Sequence, residues 1–223
     1  MADLCEGAAA RWGISLTGVD VVMTKPRLLV VGAGGHGRSV AEAVLISGDF
    51  DLVGFLDDGA FASGGDVWGL PVLGPANAFV DYAALASNAV VAIGNNALRQ
   101  KMCAQLKAAG FTLARVVHPR AIVSPSAQLG EGVAVMAGAI VGTEAVLGQG
   151  VIVNCGAVVD HHAQVHEFGH LGVNACMAGG SVLGALAWMQ VGAALGYGVT
   201  IPSGVTLAPG EAVDSRNNKY KND

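Results

Sequence analysis

Four of the six histidines fall within ten residues: His161, His162, His166 and His170, in a chain otherwise poor in ionisable groups. Packing does not choose such a cluster, and grouped titratable side chains mark reactive sites. An imidazole titrates near working pH and can take a proton from an attacking amine, a contribution of roughly 10²–10⁴ in rate. Further along come Gly179 and Gly180. A glycine offers its backbone N–H to a developing oxyanion without side-chain interference. Base and oxyanion donor together suit acyl transfer from a thioester to an amine.

A second candidate site lies earlier. Gly32-Ala33-Gly34-Gly35-His36-Gly37 follows the apolar run RLLVV (27–31) and opens an Ala-rich segment. Gly34, Gly35, His36 and Gly37 would let backbone N–H groups approach a phosphate at a helix N-terminus. A plain tight turn is the other reading. Asp57 and Asp58 end the next apolar run, where such folds hold a ribose hydroxyl. An Asp-Asp-Gly turn fits equally well. Gly94 and Asn95 end a third run at the same edge, either touching that ligand or capping the helix beyond them, and capping alone accounts for the asparagine.

These residues must be held by two kinds of element. From Lys25 onward apolar strands at 27–31, 51–58 and 88–95 alternate with helices near 38–47, 76–86 and 97–110. A turn at Trp68-Gly69-Leu70-Pro71 interrupts them, and residues 111–119 lead the chain out of this alternation. The alternation predicts a small Rossmann-like domain with a parallel sheet over residues 25–118.

Beyond it the period changes. From Val123 to Leu207 every sixth residue is aliphatic or Met, and the position four further on is small or Val: Ala127, Val133, Ala139, Ala145 and so on. Neither a helix nor a plain strand has a period of six. A coil with flat six-residue sides does, so residues 119–212 predict about five coils of a three-sided parallel β-helix. On it His161 faces the packed side or its corner, and His170 ends the next side. Gly179 and Gly180 then stack one coil from His161 and His162, at a strand spacing of about 4.8 Å. Beyond Glu211 the register lapses into a polar tail, 213–223, which either caps the prism or frays.

Composition sets the bounds. A net charge of −5 over 223 residues gives no electrostatic reason for nucleic acid or an anionic membrane as partner. Residues 168–210 contain no Asp, Glu, Lys or Arg, yet the six-residue register and recurrent glycines argue against a spanning helix there. Cys5, Cys103, Cys155 and Cys176 form no CxxC pair and read as reduced thiols of a cytoplasmic protein. Residues 1–24 form an extension without a basic n-region or long apolar core.

VVGAGGHGRSVAEAV, FLDDG, WGLPVLG, AIGNN, VHPRAIVSPSAQLGEG and VIVNCGAVVDHHAQVHEFGHLGVNACMAGG occur in this order. Together they resemble the nucleotide-sugar N-acetyltransferases of the bacillosamine and perosamine type, kin to sialic acid O-acetyltransferases. The resemblance covers residues 25 to about 210. It implies a left-handed β-helix, a homotrimer, a nucleotide-linked amino sugar (GDP-perosamine first, a UDP-4-amino sugar next) on the N-terminal domain, and acetyl-CoA between neighbouring prisms. It implies His161 as catalytic base, His170 near the acetyl group, Gly179 as oxyanion donor, and no metal. Relatives often carry an acidic residue directly after the base, and here that place is His162, with Asp160 the nearest substitute.

Other readings compete. A zinc hydratase of the gamma carbonic anhydrase kind would use His161, His166 and His170 at a subunit boundary, but such enzymes lack a Gly-rich nucleotide domain. A sialic acid-type O-acetyltransferase is a further alternative. A non-catalytic nucleotide-sugar scaffold would bind nucleotide without turnover. A nicotinamide oxidoreductase would leave half of the chain, the solenoid, unexplained.

Overall fold

A computed structural model describes residues 25–59 and 65–220. The N-terminal extension and Cys5 lie outside the described residues. Strand β1 (Arg27–Val31) is buried from Leu28 to Val31 and forms the centre of the first sheet. It pairs in parallel with β2 (Asp51–Leu56) on one side and β5 (Asn88–Val91) on the other. Beyond β2 lie β4 (Leu70–Gly74) and β3 (Asp66–Val67), and beyond β5 lies β6 (Thr112–Leu113). The order is β3-β4-β2-β1-β5-β6.

The sheet is not wholly parallel, which corrects the expectation. β3 runs antiparallel to β4 because Trp68 and Gly69 adopt left-handed backbone (φ 55° and 79°) and close a hairpin. Helix α1 (Gly35–Ser47) starts three residues earlier than its apolar pattern suggests, and helix α2 spans Asn96–Ala108. The helix expected near 76–86 is a short 3₁₀ turn, Ala78–Tyr82. Gly37 is required at the first turn of α1, since a methyl group there would collide with the carbonyl oxygen of Gly32. That close approach seats the helix on the end of β1.

From Val116–Val117 to Ala212–Val213 run seventeen two-residue strands, each paired in parallel with the strand three further along. Three sheets therefore stack side by side as the faces of a three-sided prism. Nearly six coils form instead of five. The register continues past Glu211 to Val213, which pairs with Leu195 and is buried. The interior is the six-residue ladder itself: Val135, Val141, Leu147, Val153, Val159, Leu171, Met177, Leu183 and Met189 are almost wholly buried, with Ala139, Ala145, Ala157 and Ala163 at the tight corners. Corner turns repeat a left-handed residue every six positions, usually Gly but Glu144, His162, Phe168, Asn174 and Leu186 at five of them.

The tail closes the prism. Tyr220 packs on the last coil, Asn217 donates to the Ala212 carbonyl at 2.9 Å, and Lys219 pairs with Glu211. Among the described residues no helix is long and apolar enough to cross a membrane. Val40, Ala41 and Val44 of α1 share a core with Val116, Ala134 and Met136, so the first domain lies against one face of the solenoid.

Candidate active site

The strands β2 and β4 leave β1 on one side, and β5 and β6 on the other. Such a switch in direction opens a crevice beyond the carboxyl ends of the central strands, where open α/β sheets take ligands. A cleft of about 540 Å³ lies there, lined by Gly32, Gly34, Gly35, Asp57, Asp58 and Ile93. The Gly-rich loop and both aspartates therefore meet in one cleft.

Each aspartate also braces the backbone. Asp57 Oδ2 accepts from Ala33 N–H at 2.8 Å and Oδ1 from Gly59 N–H at 2.7 Å. Asp58 Oδ1 accepts from Ala76 N–H at 2.8 Å. Both readings of these carboxylates are thus compatible: they shape the turn and they line the cleft. Asn95 caps α2, its Oδ1 accepting from Leu98 N–H at 2.9 Å. Arg38, which sequence reasoning passed over, also lines the cleft and donates from Nε to the Ala33 carbonyl at 3.2 Å. Its place one turn into a helix behind a glycine loop was the available signal.

His36 and Gly94 turn away toward the solenoid and meet His170. The rings of His36 and His170 lie 6.5 Å apart, and His170 Nδ1 is 3.3 Å from the Gly94 carbonyl. His170 does not end a side. It opens the strand His170–Leu171, is 6% exposed and stacks on Trp188 at 5.5 Å. Its Nε2, and that of His36, are buried without a hydrogen-bond partner among the described residues. Burial, with Arg99 nearby, pushes His36 down to about 4. Burial, then Arg99, then His36 push His170 down to about 3, against a smaller upward pull from the Gly94 carbonyl. Both rings are neutral at pH 7. His170, expected beside the acetyl group, is enclosed where the two domains meet.

Of the two places expected for His161, the packed side or its corner, the structure shows the corner. It stands on an exposed corner turn, side chain 52% exposed, because the inward places are taken by Val159 and Ala163. Its ring lies over Gly179, one coil along. A methyl group on Gly179 would stand 2.5 Å from His161 Nε2, so only glycine leaves room for the ring. The N–H of Gly180 is already given to the His161 carbonyl at 3.0 Å, so Gly180 is unavailable as an oxyanion donor. The N–H of Gly179 binds no acceptor among the described residues. Asp160 Oδ1 accepts from His161 N–H at 2.7 Å, while Oδ2 stays 3.8 Å from Nε2, too long for a hydrogen bond. His162 reaches Glu144, which sequence reasoning also missed, at 2.9 Å. Eighteen residues separate Glu144 from His162, one coil, and that spacing was legible.

The three histidines of the zinc reading do not gather within one chain. Among the described residues no three His, Cys, Asp or Glu side chains gather as a metal-holding group. His170 is enclosed within the chain while His161 and His166 sit on exposed turns.

Comparison with known proteins gives a consistent answer. Residues 27–106 match the PglD N-terminal domain family. PerB of Caulobacter crescentus, solved with CoA and GDP-perosamine, is 38% identical with a TM-score of 0.78, over 83% of this chain and 87% of that one. The acetyltransferase domain of PglB from Neisseria gonorrhoeae FA1090, solved with acetyl coenzyme A, is 37% identical with a TM-score of 0.78, over 86% of this chain and 94% of that one. The UDP-N-acetylbacillosamine N-acetyltransferase of Bacillus subtilis (strain 168) is 35% identical over 112 residues, 48% of this chain. That match spans about half, 50%, of the curated relative's length. A Rossmann-like sheet carrying a glycine-loop cleft, fused to a left-handed β-helix with His161 over a glycine, places the chain in one family. It belongs to the nucleotide-sugar N-acetyltransferases.

Proposed function

We propose that the chain transfers the acetyl group of acetyl-CoA to the amine of a nucleotide-linked 4-amino-6-deoxy sugar, GDP-perosamine first and a UDP-4-amino sugar next. The observation that carries this reading is His161 packed against Gly179, whose N–H is unpaired among the described residues, on a solenoid joined to a cleft of nucleotide size. The binding of GDP-perosamine and CoA by the Caulobacter relative supports it.

In the reaction the amine nitrogen attacks the thioester carbon while His161 Nε2 takes its proton. The carbonyl oxygen becomes an oxyanion, and the Gly179 N–H donates to it. The tetrahedral intermediate expels the CoA thiolate, which takes the proton back from the imidazolium. Products are the acetamido sugar nucleotide and CoA thiol. The Gly32–Gly35 part of the loop and the Asp57–Asp58 edge hold the nucleotide, while His36 and Gly37 face the protein.

The outward residues Ile122, Ile140, Val158 and Cys176 succeed one another up a single face of the prism, and Ile122 and Ile140 are 66% and 37% exposed. This apolar column favours a homotrimer, with acetyl-CoA between neighbouring prisms. Cys103, Cys155 and Cys176 are free thiols, in keeping with the cytoplasm as the place of reaction.

The test is a panel of nucleotide-linked amino sugars incubated with acetyl-CoA, monitoring released thiol. Thiol release on a 4-amino sugar, with His161→Asn losing on the order of 10²–10⁴ of kcat, is expected. Near-native turnover in His161→Asn overturns the assignment of the base. Nucleotide binding without thiol release on any amine would leave a scaffold instead.

A further inference from the structure

At the corner that holds His161 and His162, the solenoid supplies a carboxylate from the coil before. Glu144 and His162 occupy the same corner position in consecutive coils, both with left-handed backbone, φ 56° and 57°. His162 N–H donates to the Thr143 carbonyl at 2.9 Å, which fixes one turn upon the other. Side chains so placed rise in parallel about 4.8 Å apart. Glu144 Oε2 lies 2.9 Å from His162 Nε2. His162 Nδ1 lies 3.0 Å from His161 Nδ1, the two rings edge to face.

We propose that Glu144 and His162 form a two-residue positioning relay that fixes the tautomer of His161 and leaves its Nε2 as the proton acceptor. The inference rests on the reading of His161 as general base. With both rings neutral in the resting enzyme, the hydrogen-bond inventory sets the direction. An ionised carboxylate only accepts, so His162 carries its proton on Nε2. Neutral His162 then offers a lone pair at Nδ1, and the proton between the two rings belongs to His161 Nδ1. Neutral His161 is left with its lone pair on Nε2, the nitrogen beside Gly179. When Nε2 takes the proton of the amine, Glu144 stabilises the imidazolium through His162.

Asp160 cannot do this. Its Oδ1 is held by the His161 N–H, and its Oδ2 faces Nε2 at 3.8 Å, the nitrogen that must stay open. The next coil brings only Gly179 and Gly180, without charge. All charge near the ring therefore comes from Asp160 on its own turn and from Glu144 by way of His162.

The experiment compares Glu144→Gln, Glu144→Asp and His162→Phe in the full chain. Phe is tolerated at this backbone, since Phe168 has φ 57° at the next corner. Glu144→Gln and His162→Phe should each lower kcat on the order of 10-fold, with both KM values nearly unchanged. Combined, they should cost no more than the worse single change, because they act as one unit. Glu144→Asp, which keeps the carboxylate, should retain more activity than Glu144→Gln. Independently of turnover, ¹⁵N NMR should show His161 protonated on Nδ1 in the native protein and a tautomer mixture in Glu144→Gln. An unchanged tautomer in Glu144→Gln, or fully additive losses in the double variant, overturns the relay. Near-native turnover in His161→Asn would instead sink the base assignment, while the tautomer measurement still decides whether the relay exists.

Discussion

The guanidinium of Arg99 sits between the carbonyls of Gly150 and Phe168, 2.7 Å from each, although it rises from a helix of the other domain. Those carbonyls belong to corner turns of successive coils. Nη1 also donates to Ile93 and Gly94 at 2.9 and 3.3 Å, and Nη2 to Asn96 Oδ1 at 2.9 Å. One fully buried side chain thus ties the loop after β5 to two levels of the solenoid. Burial pulls it down to about 10, still cationic at neutral pH.

Arg99→Met should therefore destabilise the protein by at least about 2 kcal/mol, since it strands several buried carbonyls at once. Arg99→Lys should recover little, because an ammonium cannot reproduce the fork. The urea midpoint measures both. Unchanged midpoints would mean that the four carbonyls find water instead.

Gly179→Ala should fold normally and lose catalysis. The three atoms nearest the added methyl all belong to the His161 ring, and the backbone at 179 is not left-handed. Displacing the base should lower kcat by about 10-fold or more with little change in Tm. Comparing kcat with a thermal melt checks this, and an equal fall in Tm would mean that the glycine serves the fold.

Asp57→Ala should raise KM for the sugar nucleotide while leaving that for acetyl-CoA nearly unchanged. The change strips Ala33 and Gly59 of their acceptors and so loosens the glycine loop. A loss of about 1–3 kcal/mol at that loop corresponds to roughly 5- to 150-fold in KM. Steady-state kinetics with each substrate varied separates the two constants. Equal effects on both would move the nucleotide out of this cleft.

Acid should weaken the junction between the domains before it unfolds the coil. His36 and His170 are held neutral, near 4 and 3, against 6.5 in an unfolded chain. Between those limits the unfolded state binds more protons, so stability is complete above about pH 6.5 and falls as pH drops toward 4. Replacing His170 with Phe should flatten the dependence of Tm on pH between about 5 and 6.5. A slope identical to that of the native protein would show that the ring titrates freely.

The solenoid was legible because one repeat acts at every level. A side chain every six residues must enter the same interior, so the pattern cannot vary without leaving a void. Val213 belongs to that series, although a polar run hides it. The glycine loop and its aspartates were legible too, since β1 and β2 must deliver them to one sheet edge. Partners that come from other coils were harder to see. Glu144 meets His162 only once the coil length is known, and Arg99 reaches Gly150 and Phe168 across fifty-one and sixty-nine positions. Short-range reading supplied Asp160 as the helper of His161, whereas stacking makes residues eighteen apart nearer than sequence neighbours. The enclosure of His170 likewise depends on the whole first domain lying against its face.

Only Ala114 and Arg115 separate the last strand of the sheet, Thr112–Leu113, from the first strand of the prism, Val116–Val117. Ala114 N–H is bonded back to Ala89 and Val116 N–H forward to Val133, each at 2.9 Å. The chain passes from one fold to the other with no slack, so no hinge exists at this crossing. The short crossing, and the core that α1 shares with the prism, tie the cleft to the histidine corner of one chain. On the proposed reading of the cleft as the nucleotide site, amino sugars too short or too long for that span should react slowly even where they bind.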